Sequence, residues 1–107
     1  MITPDPQDTP VFACDPAAID AEVRSSHLSA AERLLRHDAA EVLELPDGFA
    51  FRYGAEQYAL VTQFIANERL CCPFFTFTLE VTPAQGPLWL RMTGSDEIKA
   101  FIRASFA

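Results

Sequence analysis

Two adjacent cysteines, Cys71 and Cys72, are followed directly by Pro73 and by the aromatic run Phe74-Phe75-Thr76-Phe77. Neighbouring Cα atoms lie about 3.8 Å apart, below the usual disulfide range of about 4.4–6.8 Å, so a bond between the two would be strained and easily reduced. Two thiols held stiff by a proline among apolar rings favour soft-metal or thiol chemistry. The structural alternative is that both are small core residues, since free cysteine is among the most buried residue types.

Glu68 lies one helical turn before the cysteine pair. On a helical wheel it shares an apolar stripe with Val61, Phe64 and Ile65. A carboxylate rarely enters a core without a partner. Two interpretations stay open: a structural ion pair with Arg52 or Arg91, or a role as metal ligand or proton carrier for the thiols.

His27 occupies a similar position on the first predicted helix, within an apolar stripe between Val23 and Ala31. The favoured interpretation is a hydrogen-bonded core histidine. A role as metal ligand requires the first helix to pack beside residues 68–72. His37, in a charged helix end, is predicted to lie on the surface.

Cys14 directly precedes the first predicted helical turn, where the helix dipole lowers a thiol pKa. It is a candidate third sulfur ligand, or else a buried anchor for the N-terminal arm. The chain has no C-x-x-C, the usual spacing for thioredoxin-type exchange and for many structural zinc sites. Soft ions prefer thiolates and accept low coordination numbers, which ranks Hg(II), As(III), Cu(I) and Cd(II) ahead of Zn(II).

Composition excludes several classes of function. The net charge of −7 and the absence of a Lys/Arg cluster argue against nucleic-acid binding. No apolar run approaches the ~20 residues of a membrane span, and the N-terminus lacks the pattern of a signal peptide. Three cysteines, an odd number, favour a reducing cytoplasm over a disulfide framework. The expected partner is therefore a metal ion or a small thiol-reactive molecule.

The elements that position these residues follow from periodicity and turn chemistry. Residues 1–13 are predicted to form an extended or frayed arm, and residues 14–107 a single domain. A helical segment over about 17–39 is either one bent helix or two, because Ser29 and Glu32 match a capping box. A hairpin around Pro46-Asp47-Gly48 follows.

The second half repeats this pattern. Residues 55–71 form a helix with its apolar face at Tyr58, Val61, Phe64 and Ile65, and Pro73 ends it at Leu70 or Cys71. A hairpin over 75–92 and a helix capped by Ser95 complete the chain. The order α-ββα-ββα predicts a two-layer α+β fold, a four-stranded antiparallel sheet with helices on one face. Trp89 would lie on the open face, where it could mark a homodimer contact.

A resemblance rests on the segment Phe64-Ile65-Ala66-Asn67-Glu68-Arg69-Leu70-Cys71-Cys72-Pro73-Phe74-Phe75, with Gly86-Pro87-Leu88-Trp89-Leu90 further on. The chain resembles a family of small, largely uncharacterised bacterial proteins that share a Glu-Arg-x-Cys-Cys-Pro-Phe core and are associated with heavy-metal resistance. The resemblance spans nearly the whole chain. It implies a thiol site made by Cys71, Cys72 and Cys14, with Glu68 and His27 nearby.

These observations lead to one principal hypothesis and two alternatives. The principal hypothesis is a cytoplasmic protein that binds a soft metal or metalloid ion of the Hg/As/Cu type on Cys71 and Cys72. The first alternative is a thiol-dependent enzyme, cleaving organometals or performing thiol redox chemistry, with Cys71, Cys72 and Glu68 as catalytic candidates. The second is a non-catalytic interaction domain, whose function would not change when the cysteines are replaced.

Overall fold

The structure, a computed structural model, describes residues 14–106. The predicted arm over residues 1–13 lies outside the described residues. The helices are α1 (Ala21–Arg33), α2 (Tyr58–Cys71) and α3 (Asp96–Phe106), and the strands are β1 (Glu41–Leu45), β2 (Gly48–Tyr53), β3 (Thr76–Val81) and β4 (Leu88–Thr93). Within the described part of the chain, no helix has the length and apolar character needed to cross a membrane.

The four strands form one antiparallel sheet in the order β1-β2-β4-β3. Side chains of β4 alternate between buried and half-buried, with Leu88, Leu90 and Met92 facing the core and Trp89 on the other face. The core lies between the sheet and the helices, which contribute Val61, Phe64, Ile98 and Ile102. The predicted α+β fold is confirmed.

Two alternatives were open for residues 17–39, one bent helix or two helices. The chain leaves helical geometry at Ile19 and Asp20, between the 3₁₀ turn at Pro16–Ala18 and α1, and it does not break at Ser29. Ser29 is exposed inside α1, where nothing in the surrounding sequence forces a stop. The segment instead widens into a π-helical turn at Leu34–Asp38. That turn is stabilised by the buried Tyr53 hydroxyl, which donates a 2.7 Å hydrogen bond to the Leu34 carbonyl oxygen.

The second helix ends where proline chemistry requires it. Cys71 is its last residue, and Cys72 leaves the helix with φ −126° and ψ 76°, because Pro73 disfavours helical geometry in the residue before it. At the other end the prediction is wrong for Tyr58, which is 50% exposed rather than on the apolar face. Tyr58 is the first residue of α2, and the helix contacts the core from Leu60 onward.

The Tyr53 hydrogen bond yields a test of the fold. Tyr53→Phe leaves the buried Leu34 carbonyl without its donor, and an unsatisfied buried group costs about 1–3 kcal/mol. We expect a loss of that size in the free energy of unfolding, measured by urea denaturation. Tyr58→Phe is the matched control and should change it by less than about 0.5 kcal/mol. Equal effects would show that the Tyr53 bond does not stabilise the π-helical turn.

Candidate thiol and metal site

The C-terminal end of α2 is covered by the segment that precedes α1. The Asp15 N–H donates a 2.8 Å hydrogen bond to the Cys71 carbonyl oxygen. The Asp15 side chain also accepts a hydrogen bond from the Ala17 N–H and caps the short 3₁₀ turn at Pro16–Ala18. Ile19, buried just after this turn, packs against Cys71 and Cys72. The backbone therefore brings Cys14 to the cysteine pair.

Cys14 and Cys72 form a disulfide, with their Cα atoms 4.5 Å apart and a sequence separation of 58. Cys71 is the free cysteine among the described residues, and its side chain is buried. Sequence spacing placed Cys14 as a candidate partner of the pair but did not predict a bond to Cys72. The missing information was the long-range hydrogen bond from Asp15 to Cys71, which no local pattern shows.

Glu68 lies beside the disulfide and is only 6% exposed. Its Oε1 is 2.9 Å from Cys72 Sγ and its Oε2 is 3.7 Å from His27 Nε2. Burial raises the pKa of Glu68 to about 7, since the charged form loses its hydration. In the reduced protein the Cys72 thiol can donate a hydrogen bond to this carboxyl group.

Of the two interpretations of Glu68, the structural ion pair with Arg52 or Arg91 is wrong. Arg52 contacts Glu41, and Arg91 contacts Glu80. Both arginines lie on the face of the sheet opposite the helices, as their register with Trp89 and its neighbours requires. The sheet therefore separates both arginines from α2, and Glu68 contacts Cys72 instead.

His27 faces Glu68 from α1, so the first helix does pack beside residues 68–72. Its ring stacks on Phe64 at a centroid distance of 5.7 Å. Neither ring nitrogen has a hydrogen-bond partner among the described residues, so the favoured interpretation of a hydrogen-bonded core histidine is wrong. Burial lowers the pKa of His27, which keeps the ring neutral at pH 7.

Four side chains form a compact donor cluster. The Sγ atoms of Cys14, Cys71 and Cys72 and a Glu68 carboxylate oxygen all lie within 4.8 Å of one another. His27 is not part of this cluster and lies behind Glu68. Burial, together with the negative charges of Glu68 and Asp15, raises the pKa of the Cys71 thiol. Three sulfurs and one oxygen could hold a metal ion, but the disulfide uses two of the sulfurs, so such binding requires the reduced protein.

A cavity of about 480 Å³ opens beside the cluster. The three cysteines, Glu68 and His27 line one side. Most of the remaining lining is apolar, and Glu32, Arg36 and Ser105 also line the cavity. Apart from the aromatic run that contains Phe75, sequence reasoning did not assign the apolar residues to the site: Leu28, Ala31, Leu35, Phe75, Met92 and Phe101. The aromatic run after Pro73 indicates apolar surroundings for the thiols, and Phe75 fits that prediction. The apolar stripe of the first helix contains the same signal, but such a stripe is typical of core packing.

The chain was compared with protein-family models, with curated proteins and with solved structures, and nothing matches in any of the three. The resemblance to the bacterial Glu-Arg-x-Cys-Cys-Pro-Phe proteins therefore stays a prediction. The candidate site rests on its own geometry.

The disulfide predicts how the stability depends on redox state. Closing a loop of 58 residues stabilises the folded state by about 4 kcal/mol in the chain-entropy model. We expect dithiothreitol to lower the free energy of unfolding by up to that amount. Cys14→Ser should abolish this dependence on dithiothreitol, whereas the matched Cys71→Ser should retain it. If Cys71→Ser abolished the dependence and Cys14→Ser retained it, the disulfide would not join Cys14 to Cys72.

Glu68 predicts how the stability depends on pH. The folded state holds a proton that the unfolded state loses above pH 4.5, so Glu68 destabilises the fold as pH rises from about 4.5 to about 7. A shift of this size corresponds to about 3 kcal/mol. Glu68→Gln should therefore match the wild type near pH 4 and unfold with a free energy up to about 3 kcal/mol higher at pH 8.

The control for this prediction is Glu80→Gln, which replaces an exposed carboxylate on β3. Its free energy of unfolding should differ from that of the wild type by the same amount at pH 4 and at pH 8. Iodoacetamide should also react faster with Cys71 in Glu68→Gln, because a negative charge beside the thiol is gone. A large loss of stability at pH 8 with an unchanged alkylation rate would make Glu68 a structural residue and remove it from the site.

Proposed function

We propose that the reduced protein binds a soft metal or metalloid ion through Cys14, Cys71 and Cys72, with Glu68 beside the ion. The observation that carries this proposal is the approach of three sulfurs and one carboxylate oxygen to within 4.8 Å of one another. Thiolates are the ligands that soft ions prefer. Hg(II) and As(III) suit three sulfurs, and Cu(I) and Cd(II) are further candidates.

The electrostatics of the site support binding by proton exchange. Without an ion, burial and the neighbouring carboxylates disfavour the thiolate form of Cys71. A bound cation reverses this preference, because its charge stabilises the thiolates it coordinates. For As(III) the exchange is balanced by water: arsenous acid and three thiols give three As–S bonds and three water molecules. The site therefore holds its protons until a thiophilic ion displaces them.

The disulfide is consistent with this function as the closed form of the site. Cys14 and Cys72 cannot bind an ion as thiolates while they are bonded to each other. A reducing compartment opens the bond, and a cytoplasmic location agrees with the proposal for that reason. The resemblance to proteins associated with heavy-metal resistance agrees with it as well.

Native mass spectrometry of the fully reduced chain tests the proposal. We expect one Hg(II) or one As(III) per chain, retained against a monothiol competitor such as glutathione. Cys71→Ser/Cys72→Ser should lose the ion, and Cys14→Ser should bind As(III) at least about tenfold more weakly, since one of three bonds is gone. A matched control is the oxidised wild type, which should bind neither ion. Unchanged stoichiometry in the double variant would refute the proposal.

A second candidate function, thiol–disulfide exchange, is favoured by the Cys14–Cys72 disulfide, which lies next to the free thiol of Cys71. Its Sγ lies 3.7 Å from Cys72 Sγ, within the same corner as the Cys14–Cys72 bond. Reduced Cys14 and Cys72 would convert a small disulfide into two thiols while forming their own bond, and an external thiol would restore them. Catalytic turnover of oxidised glutathione with a dithiol reductant, lost in Cys14→Ser, would identify this activity.

A further inference from the structure

The cavity beside the sulfur cluster is larger than a bare ion needs. An ion coordinated by sulfur sits within about 2.3 Å of its ligands, as in zinc sites, and occupies only the space between them. The cavity measures about 480 Å³. An apolar cavity of about 150 Å³ is enough to bind benzene. The space next to the thiols is therefore sufficient for an organic group.

The walls of the cavity have the chemistry of an apolar pocket. Leu28, Ala31 and Leu35 follow one another along the same face of the first helical segment. Opposite them, the rings of Phe75 and Phe101 lie 5.9 Å apart at an angle of 51°. Aromatic rings at such separations accept a further ring by edge or offset contact. The polar lining consists of the cysteines, Glu68 and His27 together with Glu32, Arg36 and Ser105, and the apolar part of the wall is the part available to an organic group.

We propose that the site takes the soft atom as a mono-organic species, such as an aryl-arsenic(III) compound, with the thiols on the arsenic and the aryl group in the apolar cavity. This inference rests on the proposed function and adds the class of ligand. The chemistry balances with two thiols: an arylarsine oxide and two thiols give two As–S bonds and one water molecule, and the carbon takes the third position on arsenic.

The test compares phenylarsine oxide with arsenite on the reduced full-length chain. Both are titrated against 2,3-dimercaptopropanol and followed by native mass spectrometry. Ala31→Leu partly fills the cavity without touching the sulfur cluster. We expect it to weaken phenylarsine oxide binding at least tenfold and arsenite binding less than twofold. Ala30→Leu is the matched control, since Ala30 is the preceding residue of α1 and does not line this cavity.

A second variant protects the test against misfolding. Leu28 lines the cavity but is 48% exposed, so Leu28→Gln keeps the fold and makes one wall polar. It should weaken phenylarsine oxide binding about three- to tenfold and leave arsenite binding unchanged. Leu43→Gln, at a similarly exposed leucine on β1, should affect neither ligand.

The outcomes separate this inference from the function on which it rests. Failure of both arsenite and Hg(II) to bind the reduced wild type would overturn the proposed function itself. Tight arsenite binding, with phenylarsine oxide affinity equal in the wild type, Ala31→Leu and Leu28→Gln, would overturn the organic-group inference alone. A selective loss of phenylarsine oxide binding in the two cavity variants would support it.

Discussion

The site depends on how the C-terminal end of α2 is closed. A helix leaves its last carbonyl groups without intrahelical donors, and Pro73 prevents the chain from supplying them by continuing the helix. The Asp15 N–H satisfies the Cys71 carbonyl instead. This long-range hydrogen bond, the packing of Ile19 and the Cys14–Cys72 disulfide together hold the N-terminal segment over the end of α2. The burial of the sulfur cluster depends on that closure.

The second constraint is the burial of two ionisable side chains that face each other, Glu68 and His27. Burial raises the pKa of the first and lowers that of the second, so both are driven toward their neutral forms. The distance of 3.7 Å between His27 Nε2 and Glu68 Oε2 is too long for a good hydrogen bond. The fold thus maintains a polar pair that contributes little to stability, next to the Cys71 thiol, whose pKa burial also raises. Such an arrangement is expected at a site where a ligand replaces protons, and not in a core selected only for packing.

The sequence predicted those features that local chemistry determines. Pro73 defined the end of α2, the alternation from Phe77 to Val81 and from Leu88 to Met92 defined the third and fourth strands, and Ser95 caps α3 through the Ile98 N–H. The prediction for Tyr58 was wrong, because the first residue of α2 lies outside the packed interface although it shares the period of the apolar stripe. Within the site, the residue types correctly indicated that Cys71, Cys72 and Glu68 lie together. The disulfide and the cavity could not be predicted, because both arise from contacts between segments far apart in the chain.

The disulfide and a bound soft ion compete for the same sulfurs, and this links the two candidate functions thermodynamically. A ligand that binds only the reduced state stabilises that state by mass action, in proportion to the logarithm of its concentration over its dissociation constant. Under the proposed function, a tightly bound ion would make Cys14 and Cys72 harder to oxidise, and oxidation would release the ion. Cys71 takes no part in the disulfide, so the oxidised protein keeps one thiol. One thiol cannot replace the three sulfur ligands of the proposed site, and the redox state of the Cys14–Cys72 pair would therefore decide whether the ion is bound.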